Sequence, residues 1–197
     1  MSRGRLEAFS DGVIAVVITI MVLNLRAPVG AGLHDLRPLV PKLSVYALSF
    51  VFLAIYWNNH HHLLQLVDHV SGAALWANAH LLFWLSLTPV AAEWLGPHLR
   101  NSTPVAVYGV VLLGSGVAFW ILAHSLVAAH GPDSRIALAI GRDRKGNLSL
   151  VAYVLGIAIA PVLPALSIAL YVAVAVAWFI PDRRVERVLS RPDGTSE

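Results

Sequence analysis

The 197-residue chain has no cysteine, and only 13% of its residues are charged. The first absence excludes disulfides and thiol chemistry. The second excludes an ordinary water-soluble surface, because soluble domains carry about 25% charged residues. A Walker-type phosphate loop is also missing. "GRDRKGN" at 141–147 lacks the spacing and the Ser or Thr after Lys, so it reads as a basic loop. No nucleophile, base and orienting group can be assembled from the sequence, so nothing supports an enzyme. No internal repeat is evident, and no A-x-A-like cleavage site follows the first apolar run.

What is present is apolar. Such residues make up 57% of the chain, and its mean hydropathy is +0.70. The runs recur along the whole length, which a signal peptide does not explain, so the chain reads as an all-α, polytopic membrane protein. Crossing about 30 Å of hydrocarbon takes roughly 20 helical residues at 1.5 Å each. Six spans are expected. The first four cover about 6–25, 43–59, 72–95 and 104–129. The run 148–180 is too long for one span and short for two, and Pro161 and Pro164 fold it into a hairpin of short fifth and sixth helices. Residues 1–181 then form one six-helix transmembrane domain, and 182–197 a basic tail.

A net charge of +3 does not point to nucleic acid, because the charges sit in loops and tails between apolar runs. With the N-terminus inside, ten basic residues are cytoplasmic: Arg3, Arg5, Arg135, Arg142, Arg144, Lys145, Arg183, Arg184, Arg187 and Arg191. Four lie outside: Arg26, Arg37, Lys42 and Arg100. The positive-inside rule therefore puts both termini in the cytoplasm. Trp57, Trp84, Trp94 and Trp178 fall near span ends and read as an interfacial belt.

The first span, "RLEAFSDGVIAVVITIMVLNL", carries a carboxylate near one end and a hydroxyl in its middle. At 100° per residue, Val16, Ile20 and Leu23 share about a 60° arc, with Thr19 at its edge and Asp11 on roughly the opposite face. Periodicity alone allows that aliphatic face to touch lipid or a neighbouring helix. A carboxylate in a spanning helix needs a partner, and Arg5, Asn78 and His80 are candidates. Either Asp11 is part of a polar clamp between helices or it lies on an ion or proton path; the clamp is the simpler reading. In "NNHHH", His60, His61 and His62 splay by about 100° each, so they cannot all ligate one ion on a regular helix. They read as interfacial, solvated side chains. No metal and no cofactor is expected.

"RLEAFSDG", with Arg5, Phe9, Ser10 and Asp11, resembles the R-x-x-x-F-S-D signature of the endolysosomal potassium channel family (transmembrane protein 175) and its bacterial relatives. The likeness continues to Thr19. It returns more loosely in "YWNNHHHLLQLVDHV" and "LWANAHLLFWLSLTPVAAEWL". The resemblance implies six helices per chain, a homotetramer in the bacterial cell (plasma) membrane, and K⁺ as the permeant ion. It implies a pore lined by the first helix, without a T-V-G-Y-G carbonyl filter; "VYGV" at 107–110 lacks that order. The family's constriction carries over to Val16, with further apolar rings at Ile20 and Leu23. Val16 stands where the family usually has Ile or Leu, so the tightest ring falls at Val16 or Ile20. A threonine ring implicated in selecting K⁺ carries over to Thr19. The signature residues Arg5, Phe9, Ser10 and Asp11, together with Asn78 and His80, are expected in an inter-helical packing network. The competing reading is a proton- or cation-coupled secondary transporter using Asp11 and His80. A further one is a non-conducting metal sensor or scaffold.

Overall fold

The computed structural model describes residues 2–141 and 143–179, and every regular element among them is helical. The expected tail, 182–197, lies outside the described residues. Eight α-helices follow in chain order: α1 Arg3–Leu23, α2 Val40–Gln65, α3 Gly72–Ser86, α4 Thr88–Leu95, α5 Ser102–His130, α6 Arg135–Ile140, α7 Arg144–Ile159 and α8 Pro164–Phe179. A 3₁₀ segment, Leu33–Leu39, leads into α2.

Four stretches are long and apolar enough to cross a bilayer: Arg3–Leu23, Leu33–Gln65, Gly72–His98 and Ser102–His130. The third is interrupted. Pro89 has no N–H for the Leu85 carbonyl, and the ladder breaks into a turn at Leu87 that separates α3 from α4. α7 and α8 have 16 residues each, about 24 Å of helix at 1.5 Å per residue. They form a hairpin turned at residues 160–163. Ser167 Oγ closes this hairpin by donating to the Gly156 carbonyl at 2.6 Å.

α5 is the central element, packed against α3, α4, α6, α7 and α8. Two apolar cores lie along it. One joins Ile14, Val17 and Met21 of α1 to Leu53 and Leu64 of α2, Leu81 and Leu85 of α3, and Leu122 and Leu126 of α5. The other joins Phe52, Leu95, Tyr108, Tyr153 and Tyr171. Without a water-driven force between helices in lipid, close backbone approach matters more. Gly109 and Gly156 provide it around the fully buried Tyr171, since a Cβ at either glycine would overlap the tyrosine ring or hydroxyl. Apolar residues all round these helices suit a lipid surrounding, where the outer faces need no polar cover.

Candidate pore helix and its polar anchor

α1 has two faces. Leu6, Ser10, Ile14, Val17 and Met21 recur at helical spacing and are buried against the rest of the bundle. Phe9, Val16, Ile20 and Leu23 lie on the other side and are 59%, 57%, 44% and 72% exposed in the single chain. Thr19 is exposed beside them, and its Oγ1 donates to the Ala15 carbonyl at 2.8 Å. The hydroxyl proton is thus committed to the helix's own backbone, and the oxygen lone pairs are left facing outward.

Glu7, Ser10 and Asp11, near the start of α1, meet side chains of α2 and α3. Asn78 of α3 is the bridge. Its Nδ2 donates to Ser10 Oγ at 3.0 Å, and its Oδ1 lies 2.7 Å from His60 Nε2. An amide oxygen only accepts, so His60 carries its proton on Nε2. His60 Nδ1 has no partner among the described residues. Ser10 Oγ donates in turn to the Leu6 carbonyl at 2.9 Å. His60, Asn78 and Ser10 are all buried, which is where unsatisfied polar groups are costly and paired ones hold helices in register.

A second relay runs alongside. Gln65 Nε2 lies 2.8 Å from His61 Nε2, and His61 Nδ1 lies 2.7 Å from Glu7 Oε1. A carboxylate accepts, so His61 donates through Nδ1 and accepts the Gln65 amide through Nε2. Trp57 Nε1 donates to Asp11 Oδ1 at 3.0 Å, and the Trp57 ring stacks on His61. Near the far end of α1, Asn24 Nδ2 donates to Glu93 Oε2 at 3.1 Å.

Several sequence expectations meet these facts differently. Asp11 takes Trp57 as its partner, not Arg5, Asn78 or His80. Arg5 is exposed and in no ion pair among the described residues. His80 lies away from Asp11's bond and accepts from Trp84 Nε1, one turn along its own helix, at 2.9 Å. The histidine run is not a solvated exit from the membrane. α2 continues through it to Gln65, which turns His60 into the core at 1% exposure. The reason is periodicity: Val45, Ser49, Phe52, His60 and Leu63 occupy one helical face. Extending that face past Asn59 was the signal that could have found His60. Glu7, His61 and Gln65 had no signal beyond being polar. Among the described residues, no group of three or more His, Asp or Glu side chains could hold a metal ion.

The comparisons with known proteins agree with this helix arrangement. The family model described as "Endosomal/lysosomal potassium channel TMEM175" matches residues 5–89, which include α1, α2, α3 and the Pro89 break. A potassium channel of Chryseobacterium sp. (strain P1-3) is 48% identical over 96% of this chain and 98% of its own length. A potassium channel of Streptomyces collinus is 31% identical over 75% of this chain and 76% of its own. The crystal structure of a lysosomal potassium-selective channel TMEM175 homolog from Chamaesiphon minutus superposes with a TM-score of 0.74 at 25% identity, covering 90% of this chain and 96% of that one. A multi-pass membrane fold, a first helix tied to the second and third, and near full-length relatives place this chain in the TMEM175 family, a family of ion channels and not of enzymes.

Proposed function

We propose that the protein is a homotetrameric, potassium-preferring cation channel of the bacterial plasma membrane, with both termini cytoplasmic and the pore lined by the outward face of α1. The observation that carries this reading is the division of α1. Glu7, Ser10 and Asp11 bond to side chains of α2 and α3, while Val16, Ile20 and Leu23 stand on the free face. Four such faces around one axis make stacked aliphatic rings. A narrow apolar collar holds too little water to solvate an ion, so it closes by dewetting. Val16 or Ile20 forms the tightest ring. Tilting or rotation of α1 opens it, and the outward lone pairs of Thr19 replace part of the ion's hydration. Two close relatives named potassium channels support K⁺ as the permeant ion. The excess of basic residues in the loops assigned to the inside supports the orientation.

In this reading Ser10, Asp11 and Asn78 set the angle of α1. His80 contributes to α3 through Trp84 and is not a proton partner of Asp11, which removes the residue pair a coupled transporter would have used. Recording purified protein in planar bilayers under opposed K⁺ and Na⁺ gradients tests the proposal. The expected result is fast, downhill current whose reversal potential shifts toward that of K⁺. A reversal potential indifferent to the K⁺/Na⁺ ratio, or saturable exchange in place of current, refutes it.

A further inference from the structure

Away from α1, a cavity of about 420 Å³ lies among α2, α5, α6, α7 and α8. Voids in close-packed interiors seldom exceed a water molecule, and ligand sites occupy roughly 300–1,000 Å³. This volume therefore belongs with the second class. It lies at the end of the bundle where α1 begins, which the bond from Arg3 Nη1 to the Gln65 carbonyl fixes at 3.4 Å. The inner wall is aromatic and aliphatic, with Phe52, Phe119, Leu150 and Tyr153. Polar groups gather toward the rim, where Asn58 and His124 are exposed.

Lys145 also lines it. Its ammonium sits over the Trp178 ring, 5.0 Å from the centroid, and Trp178 Nε1 donates to Ser149 Oγ at 3.0 Å. This contact holds a cation beside an apolar chamber. Among the described residues Asp143 is the one carboxylate lining the chamber, and its Oδ1 accepts the Gly146 N–H at the start of α7, 2.8 Å away. The flanking sequence 135–145 holds four cations, Arg135, Arg142, Arg144 and Lys145, against that single acid.

We propose that this cavity takes one acyl chain of an anionic phospholipid, with the headgroup at Lys145. Phe52, Phe119 and Leu150 give their part of the wall no hydrogen-bonding side chain, which suits a hydrocarbon chain better than water. A chain from the adjoining leaflet meets the apolar wall, and a basic segment at membrane-surface depth attracts the anionic head. This site is separate from the α1 face and does not depend on the reading of the pore.

The test uses the full chain purified in a mild detergent and supplied with phosphatidylglycerol carrying a diazirine in one acyl chain. Light should label peptides from 52–66 and 116–124, and unlabelled phosphatidylglycerol should compete about fivefold better than phosphatidylcholine, the factor expected for one surface cation. Lys145→Gln should remove that preference while keeping the labelled positions. Ile140→Trp, which fills the chamber from α6, should abolish labelling there while the protein elutes unchanged in size. Labelling confined to outward-facing positions, equal competition by the two lipids, or undiminished labelling in folded Ile140→Trp would overturn the proposal. So would competition by free fatty acid alone, which would assign the cavity to a different amphiphile.

Discussion

Replacing Asn78 with Leu is the sharpest probe of how α1 is held. The substitution keeps the number and branching of the side-chain heavy atoms and removes both bonds of the bridge, to Ser10 and to His60. The two partners lose unequally. Ser10 still donates to the Leu6 carbonyl, so it forfeits one inter-helical bond, worth about 0.6 kcal/mol on average in membranes and about 1.7 at most. His60 loses everything, because Nδ1 already has no partner among the described residues and Nε2 would join it. Stranding a buried polar group adds about 1–3 kcal/mol, and the sum is about 2–5 kcal/mol. His60→Leu strands the Asn78 oxygen by the same logic. In the double variant neither group is stranded, so its loss should fall short of the sum of the singles by about 2–3 kcal/mol. Reversible unfolding in mixed micelles, titrated with a denaturing detergent, measures all three. Losses that add to within about 0.5 kcal/mol, as uncoupled sites do, would refute the bridge.

Four further outcomes follow from the same geometry. Trp57→Phe keeps the ring and removes the donor to Asp11, and should cost about 0.5–1.5 kcal/mol in the same titration. Gly109→Ala forces a methyl into Tyr171, which is enclosed and cannot step aside, and overpacking of this kind should cost about 1–3 kcal/mol, read as a lowered thermal midpoint in detergent. Val16→Asn or Ile20→Asn should wet the apolar collar and raise the resting current in bilayers, and unchanged conductance in both would move the pore off this helix. Thr19→Ala should reduce the preference for K⁺ over Na⁺ in bi-ionic reversal potentials, with protein yield unaffected because its hydroxyl bonds only within α1.

The first helix was readable because its information is local. Arg26 and Pro28 follow its end, and the 100° period separates Val16, Ile20 and Leu23 from Asp11. The hairpin of α7 and α8 was readable for a similar reason, since Pro161 and Pro164 interrupt a run too short for two full crossings. What escaped was non-local. Hydropathy falls at "NNHHH", and that fall reads as water although α2 continues as helix to Gln65. The polarity of His60 is answered by Asn78, 18 positions away and on another helix. No window along the chain contains both. The same holds for Asp11 and Trp57, whose bond spans 46 positions. α6 was invisible because six residues carry too little pattern to separate a helical turn from a loop.

The placement of α1's bonds has a mechanical meaning. Directional attachments occur at Glu7, Ser10 and Asp11 near its beginning and at Asn24 just past its end. From Gly12 to Leu23 the helix makes no side-chain hydrogen bond to another helix among the described residues, and Ile14, Val17 and Met21 touch their neighbours only through dispersion. Such contacts slide with little change in energy over small displacements, whereas hydrogen bonds resist them. A rod clamped near its two ends and lubricated between them bends at its middle, and Val16, Thr19 and Ile20 are the residues carried there.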